Sequence, residues 1–147
     1  MANPMYGQNK FDNILDANPK WYQSSELDLT STAGVYSVFN VPAGAYVLGI
    51  KVLVTSAITA GSMDIDVGDG DDPDCFIDGW DGTAGSVTVN SIHSFGISSS
   101  ATEVGIFTGK YYSSADTIDV DINTVASAGK IKLLVLLSTH IPESAPH

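Results

Sequence analysis

The chain has 147 residues and a mass of 15.4 kDa, which fits a single domain with a core large enough to fold without covalent cross-links. Its formal net charge of -11 comes from 17 acidic residues against 6 lysines, with no arginine, so nucleic acid is not expected as a partner. The single cysteine, Cys75, excludes an internal disulfide and is interpreted as a small buried apolar residue.

Residues 1–25 differ in composition from the rest of the chain, because large apolar side chains stand there in a polar background. The segment has neither a basic start nor an apolar run long enough for a signal peptide or a membrane span, so we expect a protein made in the cytoplasm with no membrane partner. Phe11, Ile14 and Leu15 have i, i+3, i+4 spacing, which allows a helical turn between Asn9 and Ala17.

We interpret residues 1–25 as an extended N-terminal arm. Its large apolar side chains are candidates for binding a partner. These candidates are Tyr6, Phe11, Ile14, Leu15 and Trp21. The alternative is that the arm packs on its own domain.

From residue 26 onward, short runs rich in β-branched and aromatic residues alternate with clusters of Gly, Ser, Ala and Asn. This rhythm predicts an all-β fold, with a single jelly-roll-like β-sandwich over residues 26–139. Predicted strands include EVGIFTGKYY at 103–112 and the run from Ile131 to Leu137, which is apolar on both faces and is expected in the middle of a sheet or against another subunit. Residues 140–147 contain two prolines and are expected to form an irregular tail.

The stretch from residue 41 to residue 81 begins with a long strand that is apolar on both faces. Met63, Ile65 and Val67 then alternate with Asp64 and Asp66, which predicts a strand with one face in the core and one in water. Because only the turn sequence TAGS separates the two runs, we predict a β-hairpin. Period-two alternation assigns one face of the first strand to Tyr46, Leu48, Ile50, Val52 and Val54.

Catalytic motifs are missing from the sequence. It contains no G-x-S-x-G, P-loop, Rossmann fingerprint or H-E-x-x-H. Of its three histidines, His140 and His147 lie in the predicted tail, and His93 lies in a predicted strand, where a structural role is favoured. We therefore do not expect an enzyme.

The segment DIDVGDGDDPDCFIDGWDG contains the one cluster with chemical content. Calcium prefers six to eight oxygen ligands, and the candidate ligands are Asp66, Asp69, Asp71 and Asp72. The spacing departs from the EF-hand pattern, so a polar turn in which Asp side chains bind the local backbone is the favoured alternative. No cofactor is expected beyond this candidate calcium. Trp80 is either a sugar-stacking aromatic or a cover for the inner side of the loop.

The run from Val41 to Gly79 resembles small structural proteins of tailed bacteriophages. The similarity lies in P-A-G at 42–44, in the strand YVLGIKVLVTSAIT, and in MDIDVGDGDDPDCFIDG with its D-V-G-D-G-x-D unit. The opening MANPMYGQNK is also similar to the start of marine and cyanobacterial phage virion proteins. Cys75 departs from the pattern, since Gly often follows the last Asp there.

This resemblance implies a capsid decoration or cement protein with a β-sandwich body. It would lie on the capsid surface of the virion, bind the major capsid protein and form a homotrimer. The alternative is a tail- or fibre-associated adhesion module that binds glycans, with calcium held by the 66–81 loop.

Overall fold

The structure is a computed structural model that describes residues 19–60, 63–81, 85–94 and 109–139. Within these ranges all regular secondary structure is β. Its eleven strands are β1 (Lys20–Gln23), β2 (Leu27–Asp28), β3 (Gly34–Val41), β4 (Ala45–Ala60), β5 (Asp64–Asp69), β6 (Ile77–Trp80), β7 (Gly85–Val87), β8 (Ile92–Ser94), β9 (Lys110–Tyr112), β10 (Asp116–Thr124) and β11 (Ala128–Thr139). No helix long and apolar enough to cross a membrane occurs among these residues.

The strands form two antiparallel sheets. The seven-stranded sheet has the order β1-β11-β4-β7, with β2 added on β11 and with β8 and β9 added on β4. The four-stranded sheet has the order β3-β10-β5-β6. This arrangement confirms the predicted all-β sandwich, and β11 lies in the middle of its sheet as its two apolar faces indicate.

The core fills the space between the two sheets. The seven-stranded sheet contributes the inward residues of β4 and β11, such as Val52 and Val135, which are fully buried. In the four-stranded sheet the acidic strands alternate as predicted. Ile65 and Val67 of β5 and Ile118 and Val120 of β10 are fully buried, and Asp66 and Asp121 beside them are half-buried. Asp119 departs from the predicted alternation, because it is itself buried next to a register shift between Ile118 and Asp119.

The predicted hairpin between β4 and β5 is wrong. The two strands follow each other in sequence but belong to different sheets, so the chain crosses the sandwich between them. The reason is that both edges of β4 are occupied, one by β11 and the other by β7, β8 and β9, and β5 pairs instead with β10 and β6.

The predicted face assignment of β4 is also wrong at its start, because the strand contains a β-bulge. Leu136 pairs with Gly49 and Leu137 with Val47, which leaves Leu48 as an extra residue. The bulge resets the alternation, since two residues on one strand oppose one on the other. Tyr46 and Leu48 therefore face outward, although the later residues of the predicted face are buried.

Several predictions concern residues outside the described ranges. These are the helical turn between residues 9 and 17, the arm residues Tyr6, Phe11, Ile14 and Leu15, most of the strand at 103–112, and the tail at 140–147 with His140 and His147. The end of the 1–25 segment is described. Its residues Lys20–Gln23 form β1 and pair with β11.

Candidate functional site

Side chains of the seven-stranded sheet that point away from the four-stranded sheet form a largely apolar surface, which we name the outer face. Its most exposed large residues are Ile92, Tyr111, Trp21, Tyr46 and Leu48, at 54%, 49%, 47%, 39% and 37% exposure. Leu53, Leu134 and Leu136 lie between them and are partly buried. Contiguous exposed apolar surface of this kind marks interaction sites in soluble proteins.

Trp21 is the one arm candidate that the structure describes, and it lies on the outer face. Its ring lies against Gly49, where an added Cβ would be in ordinary van der Waals contact with the indole at 3.4 Å. The Lys51 ammonium lies 5.0 Å from the ring centroid, a distance suited to a cation–π contact. Tyr46 and Tyr111 pair across β4 and β9 with ring centroids 4.8 Å apart.

Two lysines stand within the outer face. Lys51 is the register partner of Leu134 and Lys132 is the register partner of Leu53, so the two lysines are diagonal neighbours on one side of the sheet. Lys132 reaches the Gln23 side-chain oxygen at 3.4 Å. In the described part of the chain, neither ammonium has a carboxylate partner.

Charge is separated between the two sheets. All five described lysines lie on strands of the seven-stranded sheet, whose strands contain one acid, Asp28. The strands of the four-stranded sheet contain seven aspartates and no lysine. The opposite outer surfaces of the sandwich therefore differ in electrostatic potential.

The acidic loop follows β5 and folds back over it. Gly68 permits this close approach, because a Cβ at that position would overlap the backbone of Asp72 and Pro73. The Asp69 amide donates to the Asp72 carbonyl at 2.9 Å, and the Phe76 amide donates to the Val67 carbonyl at 3.0 Å.

Asp69 is the centre of this loop and is buried. Its Oδ1 accepts hydrogen bonds from the amides of Asp71 and Asp72, both at 3.0 Å. Its Oδ2 accepts a hydrogen bond from the Tyr112 hydroxyl at 2.5 Å and forms an ion pair with the Lys110 ammonium. Burial raises the pKa of Asp69, but the hydrogen bonds from Lys110, Tyr112 and the loop amides outweigh it and lower the pKa overall.

The partners of Asp69 have shifted pKa values as well. Burial and the Asp69 carboxylate raise the pKa of the Tyr112 hydroxyl far above its ordinary value, so it remains a hydrogen-bond donor. Burial lowers the pKa of Lys110, but its hydrogen bond to Asp69 outweighs this and the pKa is raised. Cys75 is half-buried, and burial together with the Asp69 charge raises its thiol pKa to about 12.

The four calcium candidates do not share one site. Asp66 lies on the outward side of β5. Its Oδ1 accepts a hydrogen bond from the Gly79 amide and its Oδ2 accepts one from the Asn123 side-chain amide, both at 2.7 Å. Asp69 lies in the buried network, and Asp71 and Asp72 are exposed on the loop. Two of the four therefore already accept several hydrogen bonds within the protein.

A different trio approaches the geometry of a cation site. Asp69, Asp71 and Asp116 each place a carboxylate oxygen within 4.8 Å of the others. Because both Asp69 oxygens already accept hydrogen bonds, a calcium ion there would compete with the Lys110 ammonium. This geometry favours the polar turn, and calcium binding stays a prediction.

Carboxylates also crowd on the outer side of the loop. The pKa of Asp74 is raised, first by a hydrogen bond with the Asp72 carboxyl, then by burial and by repulsion from Asp72, Asp78 and Asp66.

Trp80 and His93 pack against each other within the fold. Trp80 is buried, and its ring centroid lies 5.2 Å from that of His93, whose Nε2 is 3.1 Å from the Ser91 hydroxyl oxygen. The indole thus covers the inner side of its segment, as the second interpretation predicts, and is not presented for stacking on a sugar.

Three site residues were not predicted from the sequence, namely Lys110, Tyr112 and Lys51. Lys110 meets Asp69 across a separation of 41 residues, which no local pattern reveals. A usable signal existed for Lys51, since a charged residue within a strand that is otherwise apolar on both faces indicates an exposed position.

No protein-family model matches the sequence, and no curated protein matches it. Solved structures do share its fold. A chain in the acidic stable capsid structure of Helicobacter pylori bacteriophage KHP30 aligns with 17% identity and a TM-score of 0.54, covering 82% of this chain and 89% of that one. A chain in the capsid of Ralstonia phage GP4 aligns with 15% identity and a TM-score of 0.55, covering 83% and 84%.

A chain in the capsid asymmetric unit of cyanophage Pam1 aligns with 17% identity and a TM-score of 0.53, covering 82% and 86%. The predicted resemblance to phage structural proteins is thus confirmed at the level of the fold. Since each alignment spans most of both chains, the matched chains are similar to this one in length.

Proposed function

We propose that this chain is a structural protein of a phage virion, and specifically a decoration or cement protein that binds and stabilises the head shell from its outer surface. The observation that carries the proposal is the match over most of the chain to similarly sized chains in three phage capsid structures. The matched chains come from capsid structures, which supports a place in the head shell.

The chemistry of the described residues supports a structural role without catalysis. Asp69, Lys110 and Tyr112, whose pKa values are all shifted, satisfy one another inside the fold. Perturbed pKa values can mark catalytic sites, but they also arise in structural ion-pair networks of this kind. In contrast, the outer face leaves large apolar side chains exposed, as a binding protein requires.

The partners we propose are the major capsid protein and further copies of this chain, arranged as a homotrimer. Tyr6, Phe11, Ile14 and Leu15 of the arm would bind these partners together with Trp21. Each such side chain gains roughly 1.5 to 3 kcal/mol when it is fully buried, and the ordering of the arm offsets part of that gain.

Fractionation of virions into heads and tails tests the proposal. We expect the protein with the heads, and purified protein should bind undecorated heads and co-sediment with them. Recovery with tails or fibres would contradict the decoration role and support the adhesion module.

Deletion of residues 2–18 tests the arm separately, because it leaves β1 intact. The melting temperature should stay nearly unchanged and head binding should weaken. A truncated protein that coats heads as well as the full chain would show that the arm is not the anchor, and one that unfolds would show that it belongs to its own core. Replacing Phe11 by Ala should reproduce part of the effect, and replacing Asn9 by Ala is the control.

A further inference from the structure

The outer face of the seven-stranded sheet has the size and composition of one side of a protein interface. Strands β1, β4, β8, β9 and β11 of this face have 4, 16, 3, 3 and 12 residues. With a spacing of about 4.8 Å between strands and a rise of about 3.3 Å per residue, they cover on the order of 600 Å² in projection. A standard interface buries about 800 Å² of accessible surface on each partner, and side-chain relief makes accessible area larger than projected area. The exposed Trp21, Tyr46 and Tyr111 are of the residue types enriched at interface centres.

The electrostatics of this face specify its partner. Lys51 and Lys132 lie side by side among apolar residues, and no carboxylate of the described residues pairs with either of them. Burying two ammonium groups without counter-charges would be costly, so a complementary surface has to supply acids. The strands of the opposite sheet contain seven aspartates, which makes that sheet unsuited to the same partner.

Other occupants fit less well. A two-fold dimer through this face would bring a second pair of lysines into the interface, and the strands of the sheet would add only the one acid Asp28 of the second copy as a counter-charge. Nucleic acid would meet a protein of net charge -11 that lacks arginine. Attachment of the acidic sheet of a second copy would join opposite sides of the sandwich, and such a head-to-tail contact extends into an open stack of molecules and does not close into a trimer.

We propose that the outer face docks on an apolar protein surface bearing carboxylates, with Lys51 and Lys132 meeting those carboxylates and with the acidic sheet turned away. This inference rests on the proposed function, in which that surface belongs to the phage head shell. It fixes which side of the sandwich faces the shell.

The test is co-sedimentation with undecorated heads. Lys51→Glu and Lys132→Glu together should weaken binding by at least about tenfold, since like charges across an interface are repulsive. Tyr111→Ser tests the apolar part of the face and should also weaken binding. The matched control is Lys20→Glu, which changes an exposed lysine of β1 and should alter binding less than about twofold. Melting temperatures of all variants establish that each is folded.

Amine labelling of decorated heads gives a second measurement that needs no variant. Lys51 and Lys132 should be protected from an amine-reactive reagent on the particle relative to the free protein, while Lys20 should stay reactive.

The outcomes separate the two proposals. In one outcome the wild-type protein binds heads, but the variant with Lys51→Glu and Lys132→Glu binds equally well, or Lys51 and Lys132 stay reactive on the particle. Either result would refute the proposed docking face and leave the decoration role standing. If the wild-type protein does not bind heads, both proposals fail. Growth of long oligomers that Lys51→Glu abolishes, or retention of the protein by DNA in a gel-shift experiment, would overturn the choice of partner.

Discussion

Replacing Asp69 by Ala removes the acceptor at the centre of the acidic loop. Tyr112 is 5% exposed, so its hydroxyl would lose a buried partner, at a cost of about 1–3 kcal/mol. The other partners of Asp69 cost less, because water can replace the lost carboxylate. The Lys110 side chain is 32% exposed and the amides of Asp71 and Asp72 lie on exposed residues, so the loss of these hydrogen bonds adds about 1 kcal/mol to the destabilisation. We therefore expect the free energy of unfolding to fall by about 2–4 kcal/mol, out of a total of about 5–15 kcal/mol for a domain.

Urea unfolding followed by circular dichroism measures this loss as a lower midpoint with an unchanged slope. Asp71→Ala is the control. Its carboxylate is exposed and accepts no hydrogen bond from the described residues, so the change should stay within about 0.5 kcal/mol. Equal midpoints for the two variants would refute the assignment of Asp69 as the organising group of the loop.

The pH dependence of unfolding provides an independent check on Asp69. Its folded-state pKa lies below the unfolded value of about 3.9. The carboxylate therefore contributes stability that is fully present above about pH 4 and is lost as the pH falls through the folded-state pKa. The difference in unfolding free energy between the wild type and Asp69→Asn should shrink across that acidic range and be constant between about pH 5 and pH 7. A difference that is the same at pH 3 and at pH 7 would contradict the pKa direction.

Three further results are expected. Gly68→Ala should lower the free energy of unfolding by about 1–3 kcal/mol in the same urea assay, because its Cβ would overlap the backbone of Asp72 and Pro73; a stability equal to that of the wild type would contradict the close approach of the loop. Light scattering of the purified protein should give three times the chain mass of 15.4 kDa, and a monomer at tens of micromolar would refute a trimer in solution. Calcium should leave the melting temperature unchanged, and a saturable rise that Asp71→Asn abolishes would overturn the polar-turn interpretation.

The parts of the fold that depend on alternation could be predicted from the sequence. The aspartates of β5 and β10 alternate with Ile and Val, and such a pattern determines which side of a strand meets the core. Alternation does not determine which strands pair. The runs of β4 and β5 are adjacent in sequence and therefore suggested a hairpin. In the structure, β4 pairs with β11 and β5 pairs with β10, and both of these partners lie much later in the chain.

The bulge at Leu48 was hidden for a related reason. Because β4 is apolar on both sides of its first half, shifting its alternation by one residue leaves the hydrophobic pattern almost unchanged. The candidate site was predictable only in part. Trp21 was predicted to bind a partner and is exposed in the structure, although its binding role stays a prediction. The contact of Asp69 with Lys110 and the diagonal placement of Lys51 and Lys132 depend on long-range register.

The position of β11 determines the order in which the chain can fold. In the seven-stranded sheet β1, β2 and β4 all pair with β11, and in the four-stranded sheet β3 and β5 both pair with β10. The strand that holds each sheet together therefore lies more than 50 residues later in the sequence than the first strands it pairs with. Pairings this distant in sequence place the protein among slow folders, in the range of milliseconds to seconds. During synthesis, the backbone groups on one edge of β4 stay unpaired and its apolar side chains stay exposed until residues 128–139 leave the ribosome. Aggregation or capture by a chaperone competes with folding during this interval.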